Sequence, residues 1–252
     1  MDEDKPAEIP VIILAGGNLV ELQGKIQPKG CLRVMGQTLL QRTIRHYWKY
    51  GHRKFLVCTG SGHEKILAEA DICRCSILGQ GRGEGQVQVK FTGESAGTAE
   101  RIGSALLDLR NHPIVAITYV DIVSNVDVRE VLAVHLEEKA AVTLTAVHLP
   151  TRFKSLGAAP FSPRVLGFAT KPITENTLVC GGYYFLNLGQ AQECGLFGQE
   201  QKSFENDSLP PLAVSRKVAY YKHEGFWQCV DSSRDIRICE ETIGLLSPDL
   251  MS

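Results

Sequence analysis

The stretch "VIILAGGNLVELQGKIQPKG" spans residues 11–30, and the reading of its opening decides the fold. Val11–Ala15 is an unbroken run of apolar, mostly β-branched residues. A strand buried on both faces needs such a run, and strands of that kind sit inside parallel sheets. Gly16 and Gly17 end it, and a short polar loop follows, with lysines at 25 and 29. Glycines let the backbone approach an anion and offer it N–H donors. Lys29, next to Pro28, adds a mobile positive charge.

Working outward, strand and helix signals alternate. In "QTLLQRTIRHYWKYG" the pairs Leu39/Leu40, Thr43/Ile44 and Tyr47/Trp48 recur four residues apart, giving one helix face with Gly51 as its stop. Lys54–Thr59 reads as a second buried strand and "GHEKILAEA" as a short helix. Residues 79–86, "GQGRGEGQ", read as a polar surface excursion; their spacing is not the GxGxxG of a dinucleotide fold. Val87–Thr92 is a strand, Thr98–Leu109 a helix, Ile114–Tyr119 a third buried strand, Asp127–Glu138 a helix and Ala141–Val147 a strand. This alternation predicts an α/β fold: a Rossmann-like three-layer α/β/α sandwich around a doubly wound, mixed but mostly parallel sheet. The segments "VLGFATKP", "VCGGYYFLNL" and "KVAYYKHEGFWQCV" extend that sheet, and Ser233–Ile243 closes the chain as a helix. Residues 1–10 read as a disordered leader and 11–252 as one domain, with no internal repeat.

Composition excludes several function classes. The 27 Lys and Arg against 28 Asp and Glu leave a formal net charge of −1, so no basic field points to a nucleic-acid polymer or an anionic membrane. No apolar run approaches the roughly 20 residues of a membrane span. The acidic start, "MDEDKPAEIP", carries no signal-peptide core, and a cytoplasmic location is expected. The eight cysteines include no CxxC pair and read as reduced thiols, several within apolar stretches (Cys58, Cys229, Cys239). Among the histidines, His46 and His135 read as surface or partly buried helix residues.

In an open α/β sheet, ligands bind beyond the carboxyl ends of the strands. Gly16-Gly17 lies at one such end and Asp121 at another. "GFWQCVDSSRD" sets Asp231 after a further apolar run. Two carboxylates on separate strand ends are able to share one Mg2+ and leave its other positions to water and phosphate oxygens.

Taken in order, these pieces resemble the sugar-nucleotide pyrophosphorylases, or sugar-1-phosphate nucleotidyltransferases. The branches most similar are the glucose-1-phosphate cytidylyltransferases and the heptose- or mannose-1-phosphate guanylyltransferases. "VIILAGG", "PKGCLRVMGQTLLQRTI", "ESAGTAERI", "ITYVDIVSNVDV", "AVTLTAVHLPTRFKSL", "FATKP", "CGGYYFLN", "FENDSLPPLA" and "GFWQCVDSSRD" carry the resemblance across nearly the whole chain. It implies that a nucleoside triphosphate, CTP or GTP, is joined to a sugar-1-phosphate, with pyrophosphate released and Mg2+ as cofactor. Asp121 and Asp231 would hold the metal. Lys29 would reach the nucleotide phosphates beside Leu14, Ala15, Gly16 and Gly17. Gly97, Thr98 and Ala99 would flank the base. Lys171 would grip the sugar phosphate, and Gly181 and Gly182 would let the backbone approach the sugar. Homo-oligomers are common in such a family.

The chain also departs from that pattern. The family loop reads Gly-Gly-x-Gly-Thr-Arg, with the arginine around the leaving phosphates. Here the stretch is Gly16-Gly17-Asn18-Leu19-Val20-Glu21, about two residues short before Pro28; with the gaps placed late, Glu21 falls where the arginine belongs. Lys25 and Arg33 are the candidates to supply the lost charge. Val120 stands for the glycine before the metal aspartate, Thr170 for the glutamate of the Glu-Lys-Pro motif, and Ala99-Glu100 for paired glycines of the cytidylyltransferase base loop. Two readings therefore stand: a working, altered nucleotidyltransferase, or a relative that binds nucleotide or nucleotide-sugar as a regulatory or partner subunit. A dinucleotide-dependent oxidoreductase is disfavoured for want of GxGxxG.

Overall fold

A computed structural model describes residues 9–22, 24–77, 85–148, 155–158, 165–169, 178–196 and 202–245. Most of the expected leader, most of the 79–86 excursion, Thr170 and Lys171 lie outside them.

Strand β1 (Val11–Ala15) leads into a hairpin of β2 (Leu19–Leu22) and β3 (Lys25–Pro28). A single 3-10 turn, Lys29–Cys31, and a two-rung ribbon of β4 (Arg33–Val34) and β5 (Gln37–Thr38) deliver the chain to α1 (Leu39–Lys49). Thr38 caps α1 in a capping box with Gln41, which satisfies two of the N–H groups left over at the helix start. Next come β6 (Lys54–Thr59), α2 (His63–Ser76), β7 (Gln86–Phe91), α3 (Thr98–Leu106), β8 (Ile114–Tyr119), β9 (Ile122–Ser124) and α4 (Val128–Glu138). The remaining elements are β10 (Val142–His148), β11 (Ser155–Ala158), β12 (Val165–Ala169), β13 (Leu178–Asn187), α5 (Leu188–Glu193), a five-residue π turn at Phe204–Ser208, α6 (Leu209–Val214), β14 (Val218–His223), β15 (Trp227–Cys229) and α7 (Ser233–Leu245).

Among the described residues the main sheet has seven strands in the order β14-β10-β13-β8-β1-β6-β7. Only β13 runs against its neighbours β8 and β10; the other pairings are parallel. The expected mixed, mostly parallel sheet with flanking helices is present. Its first strand lies between β6 and β8, so the crossovers leave β1 in opposite directions and open a crevice at its carboxyl end.

The two-residue period of β1 divides the core. Val11, Ile13 and Ala15 pack with α1, α2 and α4 through Leu40, Ile44, Ile66, Ala70 and Val131. Ile12 and Leu14 face the other way, onto Ala99, Ile102 and Ala105 of α3 and Leu209 and Leu212 of α6. A third cluster joins Leu32, Val34, Leu39, Val123, Val230, Cys239 and Ile243, with Val20 and Leu22 packed against it.

Residues 19–28 form a hairpin where the sequence suggested an open loop. Val20 and Leu22 alternate inward onto the third cluster, and that burial selects a strand. Helix α2 runs to Ser76, further than "GHEKILAEA", because Ile66, Ala70, Cys73 and Ile77 continue its apolar stripe. His135 is 2 % exposed and shares a hydrogen bond with Thr143 Oγ1, so it is a core residue and not a surface one. No helix among the described residues is long and apolar enough to cross a membrane.

Candidate active site

The crevice beyond β1 has a volume of about 230 Å³ and is lined by Leu14–Asn18, Lys29, Ala96–Thr98, Arg101 and Tyr119–Asp121. Four separate chain segments thus reach one place: the end of β1, the turn before β4, the start of α3 and the end of β8.

The carboxylates converge because β9 and β15 pair antiparallel, with Ile122 opposite Cys229. One rung further, Val230 N donates to the carbonyl of Asp121 at 2.8 Å. Strand alternation then points Cys229 and Asp231 to the same side. The Asp231 backbone is held from behind by the buried Asp235, whose Oδ2 accepts from Asp231 N at 3.2 Å and from Ser232 Oγ at 2.7 Å. Lys29 Nζ lies 2.8 Å from Asp121 Oδ2 and also pairs with Asp231 Oδ1. Burial pulls the Lys29 ammonium downward, but the two carboxylates outweigh it and hold its pKa above the ordinary lysine value.

Donor atoms of Asp121, Cys229 and Asp231 all lie within 4.8 Å of one another. Two carboxylates that already share one cation, at the mouth of a crevice, are the hard oxygen donors that suit Mg2+. The Cys229 thiol is the soft member of the group. Burial first, and then both carboxylates, push its pKa up, which keeps it a neutral thiol beside them.

Behind the loop, Arg101 of α3 is 3 % exposed. Its Nη1 donates to Thr59 O at 2.7 Å and Thr92 Oγ1 at 2.6 Å, and its Nη2 to Gly16 O at 2.7 Å. A Cβ at Gly16 would fall 2.3 Å from that guanidinium, so glycine is required there by contact. On the far wall, Glu205 Oε1 accepts from Tyr184 Oη at 2.7 Å and from Tyr119 Oη. Burial, then the Glu205 carboxylate, hold the Tyr119 phenol well above its ordinary pKa.

Of the expected site residues, Leu14, Ala15, Gly16, Gly17, Lys29, Gly97, Thr98 and Asp121 line the crevice, and Asp231 meets Asp121 through Lys29. Ala99 does not: its side chain is 1 % exposed in the core and its N–H donates to Lys202 O at 2.9 Å. Gly181 and Gly182 are absent from the crevice lining and pack beside the strands that flank Asp121. Gly181 O accepts from Trp227 Nε1 at 2.9 Å, and Gly182, at φ +75°, lies against Ile122 and Tyr119. Lys25 sits opposite Leu22 at the tip of the hairpin, exposed and outside the crevice lining. Arg33 is equally distant in role, donating to Gly36 O and Glu69. Sequence reading missed Arg101 and left Cys229 as an inert thiol. The signal for Arg101 was its place on the buried face of α3, four residues before Ala105.

The nucleotidyl transferase family model matches residues 10–237. A glucose-1-phosphate cytidylyltransferase of Salmonella typhimurium is 25% identical over 240 residues, covering 89% of this chain and 91% of that protein. The crystal structure of HddC from Yersinia pseudotuberculosis in complex with GMP-PN superposes with a TM-score of 0.64 at 17% identity, covering 93% of this chain and 99% of that one. A Bacillus anthracis structure in complex with a sucrose gives a TM-score of 0.67 at 15% identity, covering 95% and 96%.

Proposed function

The chain belongs to the nucleotidyl transferase family, and from that premise we propose that it joins a nucleoside triphosphate, CTP or GTP, to a sugar-1-phosphate. An oxygen of the sugar phosphate attacks the α-phosphorus. A P–O bond forms there, the bond to the bridging oxygen of the β-phosphate breaks, and pyrophosphate leaves. No protein nucleophile is needed; catalysis is positioning and charge neutralisation.

The observation that supports this reading most directly is the single ammonium of Lys29 shared by Asp121 and Asp231 beside Gly16. Asp121 and Asp231 would hold Mg2+, which when bound supplies positive charge to the phosphate oxygens. Lys29 is then freed to face the triphosphate. Gly16 and Gly17 let the backbone approach it, and Gly97 and Thr98 border the base. Lys171 is the proposed partner of the sugar phosphate, on the strength of the resemblance alone.

The test is direct. The protein is incubated with each triphosphate, Mg2+ and a panel of sugar-1-phosphates, and pyrophosphate is measured. Release that disappears in Asp121→Ala supports the enzyme.

One observation favours a second reading, a binder without turnover. The β2–β3 hairpin takes the place of an open phosphate loop and brings no cation to the crevice lining. That reading expects no pyrophosphate with any pair of substrates, together with tight binding of a nucleotide-sugar.

A further inference from the structure

Arg101 is the anomalous residue of the crevice. Among the described residues, no carboxylate lies within ion-pair distance of its guanidinium, and its charge is met by neutral acceptors: Thr59 O, Thr92 Oγ1, Gly16 O and, at 3.4 Å, Glu94 O. Burying a cation is costly unless hydrogen bonds compensate it. Here the compensation comes from the ends of three neighbouring strands, β1, β6 and β7, the first of which lines the crevice. A guanidinium with several fixed donors gathers these ends as no ammonium can.

The consequence runs through one peptide plane. The peptide unit is flat and trans, so the carbonyl of residue 16 and the N–H of residue 17 point in opposite directions. Arg101 draws the Gly16 carbonyl inward at 2.7 Å. The Gly17 N–H must then point outward, on the exposed side of the loop that lines the crevice. Among the described residues nothing accepts that N–H. Gly16 is bare on its inner side because a Cβ would occupy the guanidinium itself, which keeps the contact short.

We propose that Arg101 is a positioning residue that fixes the Gly17 amide as a donor to a phosphate oxygen of the bound nucleotide. It acts through the Gly16–Gly17 peptide and not by touching the phosphate. The cation of the crevice that is not committed to Asp121 and Asp231 therefore works from beneath the loop, at a site where the hairpin supplies none from above. The inference rests on the reading of the crevice as a nucleotide site.

The experiment compares nucleoside with nucleoside triphosphate. Calorimetry with Mg2+ gives the affinities of cytidine against CTP, and guanosine against GTP, for the wild type, Arg101→Met, Arg101→Lys and Gly17→Pro. Gly17→Pro deletes the amide proton and leaves Arg101 in place. The expected result is a loss of about 10- to 100-fold in triphosphate affinity for Arg101→Met and Gly17→Pro, the range for one hydrogen bond to a charged group. Nucleoside affinity stays within about twofold, and Arg101→Lys recovers part of the loss. A purely structural role for Arg101 would weaken nucleoside and triphosphate alike. A wild-type ratio of triphosphate to nucleoside affinity in Gly17→Pro, or in a folded Arg101→Met, overturns the proposal. If Arg101→Met does not fold, Gly17→Pro decides alone. A wild-type protein that binds neither triphosphate defeats the nucleotide-site reading itself, and that outcome is distinct from variants that bind like the wild type.

Discussion

The backbone N–H of Val230 donates to the carbonyl of Asp121 at 2.8 Å, and this one rung brings two distant stretches of chain into register. Its effect is to set Asp121 and Asp231 about one ammonium, that of Lys29. Residues that serve one cation act as a unit, and removal of either disables the same arrangement. Asp121→Asn and Asp231→Asn should each lower kcat by about 100-fold or more, and the double variant should fall no further than the worse single one. Pyrophosphate release measured on the three proteins checks this. Losses that multiply would show the two carboxylates acting independently.

The proposed Mg2+ site predicts that a divalent ion takes over the role of Lys29 between Asp121 and Asp231. Lys29→Met removes the ammonium that Asp121 and Asp231 share. Added Mg2+ should then raise the Tm more in the variant than in the wild type, by about 2–4 °C, the shift that about 1 kcal/mol of linked binding gives a domain of this size. Thermal unfolding with and without MgCl2 makes the comparison, and equal shifts would remove the metal from these two carboxylates.

Much of this arrangement was legible in the sequence, and the physical reason separates what was from what was not. Val11–Ala15 read correctly because burial on both faces leaves no polar position to confuse the pattern. The helix at Leu39–Lys49 declared itself through the four-residue spacing of its apolar pairs and through Gly51 just beyond its end, whereas its Thr38 cap emerged only in the structure. Asp121 and Asp231 stood out because each follows directly on an apolar run, so its charge falls at a strand end, where an open sheet meets its ligands. The hairpin did not, since four residues of Leu19–Leu22 alternate too briefly to distinguish a strand from a loop until Val20 and Leu22 find their cluster. Arg101 was harder to read for a different reason. Three of its four acceptors are the carbonyls of Gly16, Thr59 and Glu94, with Thr92 Oγ1 the fourth, and backbone atoms leave no letter in a sequence.

Gly182 tests how the sheet supports Asp121. Its φ is +75°, a region that costs an L-residue roughly 1–2 kcal/mol, and a Cβ there would lie 2.2 Å from Ile122 Cδ1. Ile122 immediately follows Asp121 and begins β9. Gly182→Ala should therefore destabilise the fold by at least about 1–2 kcal/mol in urea and lower kcat as well. A variant with normal stability would show that Ile122 moves aside freely.

Acid sensitivity follows from two histidines. Burial pulls His135 to about 4, and burial followed by the charge of Lys49 pulls His46 to about 4, both from an ordinary value of 6.5. Between pH 6.5 and 4 the unfolded chain takes up protons that the folded chain refuses. Stability is therefore full above about pH 6.5 and falls as the pH drops toward 4. Urea unfolding at several pH values should show that slope, and His135→Gln should reduce it. An unchanged slope in the variant would assign the acid sensitivity elsewhere.

The hairpin gives the last test, because the sequence pointed to Lys25 as a replacement phosphate ligand and the structure places it elsewhere. Lys25 pairs across from Leu22 at the tip of the hairpin, where it is exposed and outside the residues that line the crevice. The hairpin is also tied down. Lys65 Nζ donates to Ile26 O at 2.8 Å, and Val20 and Leu22 pack onto the third cluster. Swinging the tip inward would break both attachments. Lys25→Ala should therefore leave kcat and KM for the triphosphate within about twofold, the range of an ordinary surface substitution. Glu21→Arg, which writes an arginine at the position where the resemblance led one to expect it, should not tighten triphosphate binding, because Glu21 is opposite Ile26 on the same ribbon and faces solvent. Steady-state kinetics on both variants decide the matter. A loss of tenfold or more in Lys25→Ala would mean that the hairpin opens during turnover and delivers its lysine to the phosphates.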